Sequence, residues 1–186
     1  MGMAIAADRY TVPDLAQFDG KNGRHELLDG ALVVTPLGTS RHQSLCLALA
    51  ATLREYLVCE RLGAVFSPGR VIVDHRTALE PDVLVVPGPR ETASLPWESH
   101  AAPLLAVEVL SPSTRSFDQA QKRRAYLRRG AAEYWMVDAD ERVVTVVRPD
   151  QPDELAASSL HWLPVGAAEP LTIDITALFE GPGEAR

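Results

Sequence analysis

The segment Leu104-Leu105-Ala106-Val107-Glu108-Val109-Leu110 is apolar at every position but one. A strand with one wet face alternates apolar and polar side chains, whereas an almost continuous apolar run of this length reads as a central strand buried on both faces. Glu108 lies in the middle of it. Burying a lone carboxylate costs several kcal/mol unless it is paired, protonated or bound to a metal, so the fold has to bring something to Glu108.

Asp82 makes the same demand. Pro81-Asp82 opens the apolar run 83–86, and side-chain alternation puts Asp82 on the face of Leu84 and Val86. Either acid taken alone fits a capped or salt-bridged carboxylate; the two together point further. Ser116 with Gln119 forms a capping box and Gly130 a C-terminal stop, so a helix over about 117–129 leaves the Glu108 strand. From Arg115 to Gly130 six basic residues stand against one acid, a local charge of +5 in a chain whose net charge is −7. A solvated face with snorkelling side chains accounts for that segregation. So does a phosphate-binding stripe beside the acids, with Arg115, Arg123 and Arg124 among its contacts.

The remaining punctuation describes an α/β chain. Asp29-Gly30, between the runs 25–28 and 31–34, accepts the positive φ angles of a type I′ hairpin. Ser40 with Gln43 starts a long helix that Gly63 can close. Leu45, Leu49, Leu53 and Leu57 recur along it, and Leu47 and Ala48 widen the apolar surface, so the helix is expected to be largely buried. Residues 71–73 and 83–86 read as strands, and 134–137 with 143–147 as a hairpin turning near 138–141. The pair Tyr134-Trp135 reads as core or dimer contact.

The 186 residues suit one domain, with a flexible N-terminus and a fraying tail over 181–186. With 46% hydrophobic and 23% charged residues a packed core is expected, and the acidic balance argues against a generally basic nucleic-acid coat without excluding a local basic face. The first residues lack the pattern of a signal peptide, and nothing approaches the ~18 apolar residues of a membrane span, so the reading is cytoplasmic with no membrane partner. Cys46 and Cys59 fall in one helix, roughly 20 Å apart and too distant for a disulfide, as reduced packing residues. No CxxC or HxxxH pair suggests zinc.

Two carboxylates on neighbouring strands, with a lysine nearby, suit hydrolysis of a phosphodiester. Mg²⁺ takes oxygen ligands, cancels carboxylate repulsion, polarises a phosphate oxygen and lowers the pKa of a bound water, while a lysine orients that water or stabilises developing charge. A Ser/Lys hydrolase built from Ser111 and Lys122 has no nucleophile elbow or oxyanion signature behind it. Convergence of the two acids in a desolvated pocket would raise at least one carboxyl pKa, and neutralising either would then stabilise the metal-free protein.

Pro81-Asp82, then Val107-Glu108-Val109-Leu110-Ser111-Pro112-Ser113-Thr114, Asp118, Lys122, Tyr126 and Glu133-Tyr134-Trp135-Met136-Val137-Asp138 form an ordered set, preceded by His25-Glu26-Leu27-Leu28-Asp29-Gly30 and His42. This set, spanning about residues 24–138, resembles the Uma-two family of putative restriction endonucleases, a bacterial branch of the PD-(D/E)XK nuclease superfamily. The resemblance implies an α/β restriction endonuclease-like core, a mixed β-sheet flanked by helices, and a metal-dependent endodeoxyribonuclease acting on DNA with Mg²⁺, or Mn²⁺ in its place. It makes Asp82 and Glu108 the metal ligands and Lys122 the superfamily lysine, and it offers Glu26 as an additional ligand or metal-site carboxylate, for which an exposed charge on the hairpin accounts equally well. The superfamily motif puts that lysine two positions after the acid, where this chain has Leu110; Lys122 on the following helix takes the role. His42 either contacts phosphate and assists the site or simply caps its helix. Cutting both strands would need two active sites, hence a homodimer. The rival from another class is a non-catalytic nucleic-acid-binding or regulatory protein on the same fold, its acids kept for structural reasons.

Overall fold

The computed structural model describes residues 4–180; the expected fraying tail over 181–186 and the first three residues lie outside them. Strand β1 (Ala4–Asp8) is followed by a 3₁₀ turn over Val12–Phe18 and the hairpin of β2 (Arg24–Leu28) and β3 (Ala31–Thr35). Helix α1 (Ser40–Glu60) leads to β4 (Gly63–Phe66), β5 (Val71–Asp74), β6 (Thr77–Leu79) and β7 (Val83–Pro87). From β8 (Leu105–Val109) the chain enters α2 (Arg115–Phe117), a π-helical segment (Asp118–Lys122) and α3 (Arg123–Arg128), and returns through β9 (Glu133–Asp138). The strands β10 (Val143–Val147), β11 (Glu154–Ala156), β12 (Ser159–Trp162) and β13 (Leu171–Asp174) precede α4 (Ile175–Glu180).

β8 is central, as its composition requires. It lies inside a six-stranded sheet of order β11-β10-β9-β8-β7-β4, parallel to β9 and antiparallel to β7. Its five residues are all buried. Leu105, Val107 and Val109 pack on the side of α1 with Leu49, Leu53 and Leu57, and Ala106 packs on the other side with Ala125, Tyr126 and Tyr134. A five-stranded sheet of order β1-β3-β2-β6-β5 and the pair β12-β13 complete the strands. The Asp29-Gly30 turn has both residues at positive φ (50° and 89°), as a type I′ hairpin needs, and pairs Leu28 with Ala31.

Three local expectations shift by a residue or a face. Thr39, not Ser40, caps α1, its side chain accepting from the His42 amide at 3.2 Å. The helix ends on Arg61 in the left-handed region, while Gly63 opens β4, where a Cβ would stand 2.2 Å from the Val86 carbonyl oxygen. Helix α1 buries one face only: Leu47 is 71% exposed, although Leu53 and Leu49 are at 0% and 1%. Tyr134 and Trp135 are core residues, both fully enclosed.

The helix expected over about 117–129 runs from Arg115 to Arg128 and carries a wider turn in its middle. In the π segment, hydrogen bonds reach one residue further than in an α-helix, so four residues fall closer to one full turn. Asp118, Lys122 and Tyr126, spaced four apart, share one buried face toward Glu108.

Because α1 is one-sided, Leu53→Ala should cost about 2–5 kcal/mol, the usual range for emptying a buried leucine site, and Leu47→Ala no more than about 0.5 kcal/mol. Urea unfolding of the two variants checks this; equal losses would mean that both faces of α1 are covered.

Candidate active site

Glu108 is 2% exposed and its oxygens are divided between two sides. Oε1 accepts from the Tyr126 hydroxyl at 2.7 Å and from Lys122 Nζ at 2.9 Å. Oε2 lies 3.6 Å from Arg24 Nη1. Lys122, itself 3% exposed, also stands 2.9 Å from Glu26 Oε1 and 3.6 Å from Asp118 Oδ1. Glu26 comes from β2, where it is fully enclosed and accepts the Glu80 amide at 2.8 Å. The lysine is therefore held by carboxylates from β2, β8 and its own helix.

Asp82 stands just ahead of β7, where strand alternation no longer dictates its direction. Its Oδ2 accepts the Val109 amide of β8 at 2.7 Å, and its Oδ1 accepts from the Arg24 guanidinium and sits 3.1 Å from His42 Nε2. Arg24 thus bridges the free oxygens of Asp82 and Glu108, and donates to the Glu80 carbonyl at 2.8 Å. The ring of His42 has space because residue 38 is glycine; a Cβ there would lie 2.4 Å from His42 Cδ2.

The charges do not balance. Glu26, Asp82, Glu108 and Asp118 are all buried, and the cations against them are Lys122 and Arg24. Among the described residues, two negative charges are left over if every carboxyl is ionised and the His42 ring is counted as neutral. Glu26 Oε2 and Asp118 Oδ1 moreover have no hydrogen-bond partner among the described residues. Burial, reinforced by Asp82, Asp118 and Glu26 and opposed by Lys122, pushes the Glu108 carboxyl up to about 8. Burial likewise raises Asp118. Burial works against ionised Asp82 too, but the His42 hydrogen bond and the Arg24 charge outweigh it and hold this carboxyl well below its ordinary range. Burial also opposes charge on Lys122, yet Glu108, Glu26 and Asp118 keep its ammonium protonated far beyond the usual lysine range.

A cavity of about 440 Å³ opens onto this cluster, with Arg24, Arg41, His42, Asp82, Glu108 and Lys122 in its walls. The loop 111–114 forms another wall, its hydroxyls bonded to one another, Ser111 Oγ to Thr114 Oγ1 at 2.9 Å. Excess negative charge, oxygens without donors and an opening of ligand size are what an oxygen-ligated divalent cation fits.

Asp82, Glu108, Lys122, Glu26 and His42, singled out from sequence, are brought together. Arg115, Arg123 and Arg124 are outside the cavity wall. Arg115 pairs with Asp138 and Arg123 with Asp153, while Arg124 Nε donates to Ala120 O at 3.2 Å. Sequence reasoning missed Arg24, which the two-residue period of β2 places on the face of Glu26. Asp118, one turn from Lys122, stood in the ordered set without a role. Sequence reasoning also missed that Cys46, one turn beyond His42, joins His42 and Asp82 in a group whose ligand atoms lie within 4.8 Å of one another.

A family model, Uma2 (Uma-two), described as a putative restriction endonuclease, matches residues 6–176. No curated protein matches. Among solved structures, the crystal structure of a putative nuclease belonging to DUF820, from Anabaena variabilis, is 21% identical, with 92% of this chain and 98% of that chain covered and a TM-score of 0.74. At that identity it bears on the fold, and the fold is the expected α/β core of a mixed sheet flanked by helices.

The expectation that neutralising either acid stabilises the metal-free protein therefore splits. A carboxyl with a raised folded pKa loses stability as pH climbs from its unfolded value to its folded one, so in EDTA Glu108→Gln should melt above wild type by a margin that grows from about pH 4.5 to about pH 8. Asp82 has a depressed pKa and contributes stability above its unfolded value of 3.8, so Asp82→Asn should melt below wild type at neutral pH, the gap closing in acid. Melting curves between pH 4 and 9 read both signs, and a Glu108→Gln margin independent of pH would rule out a charge origin.

Proposed function

We propose that this chain, which belongs to the Uma2 family of putative restriction endonucleases, is a single-domain Mg²⁺-dependent DNA endonuclease that hydrolyses phosphodiester bonds with an activated water. The supporting observation is the buried, negatively overcharged cluster at the floor of an open cavity. Asp82 and Glu108 would hold the metal, with Glu26 beside them. When bound, Mg²⁺ supplies Lewis acidity to a phosphate oxygen and lowers the pKa of a bound water; Mn²⁺ accepts the same oxygen donors.

The chain's own groups have distinct tasks. The Val109 amide takes one oxygen of Asp82, and Lys122 with Tyr126 takes one oxygen of Glu108, so each acid is oriented with its second oxygen free for the site. In the metal-free protein the Arg24 fork covers both second oxygens. Once released it remains in the cavity wall, and its planar donors match a phosphate. Lys122 keeps its proton, and its 3.6 Å approach to Asp118 is too long for a hydrogen bond, so one N–H can hold the attacking water or the developing charge. His42 secures Asp82 and faces the cavity, within reach of a bound phosphate. Arg115, Arg123 and Arg124 would meet more distant phosphates, the first two after giving up Asp138 and Asp153. Two copies of the chain would supply the two sites needed for a double-strand cut.

The non-catalytic rival has its own observation: Asp82 and Glu108 are answered by Arg24, Lys122, Tyr126 and the Val109 amide without any metal. Incubation with supercoiled, linear and single-stranded DNA in Mg²⁺, Mn²⁺ or EDTA separates the two readings, with RNA as a further arm. Metal-dependent cleavage is expected for wild type, none above background for folded Asp82→Ala or Glu108→Ala, and kcat lower by about a hundredfold or more for Lys122→Ala. Undiminished turnover in either acid variant would sink the site. A KM effect alone in Lys122→Ala would make that residue a substrate-binding group.

DNA affinity should fall with salt at a log–log slope of roughly −0.9 per neutralised phosphate. Replacing Arg123 and Arg124 by alanine should flatten that slope in a fluorescence-anisotropy titration. An unchanged slope would leave these arginines as a solvated, ion-paired helix face.

A further inference from the structure

We propose that His42, Cys46 and Asp82 form a second metal site, selective for a thiophilic divalent cation such as Zn²⁺, whose occupation takes Asp82 away from the Mg²⁺ site and shuts it. The inhibitory half rests on the function proposed above; the binding half does not.

Residues 42 and 46 are one helical turn apart on α1, so their side chains share a face. That face meets Asp82. A ring nitrogen of His42, the sulphur of Cys46 and a carboxylate oxygen of Asp82 all lie within 4.8 Å of one another. With Zn–N near 2.0 Å and Zn–S near 2.3 Å, the donors of a tetrahedral site stand roughly 3.3–3.6 Å apart. Closing the group requires side-chain shifts on the order of an ångström, and its backing is firm. Cys46 is 4% exposed, and the Thr39 cap and the bare Cα of Gly38 seat the His42 ring.

The donor set chooses the cation. Mg²⁺ wants oxygen and has no use for a thiol, whereas nitrogen, sulphur and oxygen together suit zinc. The metal–sulphur bond replaces the Cys46 S–H bond, and the proton leaves to solvent. Three protein ligands leave a fourth position, which faces the cavity that His42 and Asp82 line.

Asp82 makes the two sites exclude each other. Its Oδ2 is occupied by the Val109 amide, so Oδ1, now shared by His42 and Arg24, is the oxygen either metal would take. A zinc ion drawn toward α1 by Cys46 holds that oxygen away from Glu108 on the other side of Arg24.

Co²⁺ is a coloured substitute for zinc. Titrated into the full chain stripped with EDTA, it should produce visible bands of a tetrahedral ion and a near-ultraviolet sulphur-to-cobalt band, both abolished by Zn²⁺. Cys46→Ser should lose the sulphur band and bind Zn²⁺ at least ten times more weakly, since even an outer-shell partner is worth about 10–100-fold in metal affinity. Cys59→Ser, on the exposed part of the same helix, should retain both properties. Bound Mn²⁺, followed by electron paramagnetic resonance, should be displaced by Zn²⁺ from wild type and resist it in Cys46→Ser. No sulphur band in wild type, or an equal band in Cys46→Ser, overturns the inference whether or not the serine variant folds well. Mn²⁺ bound but not displaced overturns the exclusion. A cobalt–sulphur band in a protein that neither binds Mn²⁺ nor cleaves DNA would instead retain the soft site and defeat the nuclease reading.

Discussion

Lys122 carries a positive charge into the buried interface between its helix and the sheet. It is held by Glu26 and Glu108 at 2.9 Å each, which ties the β2–β3 hairpin, the central strand and the π segment to one ammonium. Taking ions out of water costs several kcal/mol apiece, and removing the one ammonium from such a buried set would cost about 3–5 kcal/mol because the carboxylates are left uncompensated. A well-packed apolar replacement could do as well for stability alone. What the ionic version adds is a fixed direction: Glu108 cannot rotate without leaving both Lys122 and Tyr126.

The same network is deliberately incomplete. Among the described residues, four buried carboxylates against two cations leave Glu108 favouring its protonated form, and two carboxylate oxygens lack a donor. Excess buried negative charge of this kind is relieved by a ligand of the opposite sign. Arg24 is the provisional relief. Its guanidinium spans the oxygens that a cation would use, so the metal-free protein tolerates two acids that would otherwise repel each other.

Charge segregation along the chain reads differently in three dimensions. The basic run from Arg115 to Arg129 suggested a continuous stripe, but folding distributes it: Lys122 goes inward to the acids, Arg115 and Arg123 pair with aspartates, and Arg129 donates to the carbonyls of Ile72 and His100. One-dimensional clustering of charge on a helix guarantees only that different faces share it. The direction of each side chain follows from which face the sheet covers.

Much of the molecule is legible in the order of its residues. The central position of β8 follows from its unbroken apolar run, the β2–β3 turn from Asp29-Gly30, and the demand for partners at Glu108 from the cost of burying charge. These depend on neighbours in sequence or on solvent alone. The π turn, the choice of Thr39 over Ser40 as cap and the one-sided burial of α1 were not legible, because each is decided by what packs against the element. Above all, the meeting of Arg24 with Asp82, fifty-eight residues away, and of Cys46 with the same carboxylate is a product of β2 and α1 converging on the ends of β7 and β8. Sequence by itself determined which groups had to find a partner. Only the tertiary structure decided which partner each one found, since contact between distant residues is set by strand order and helix placement and leaves no periodic trace in the chain.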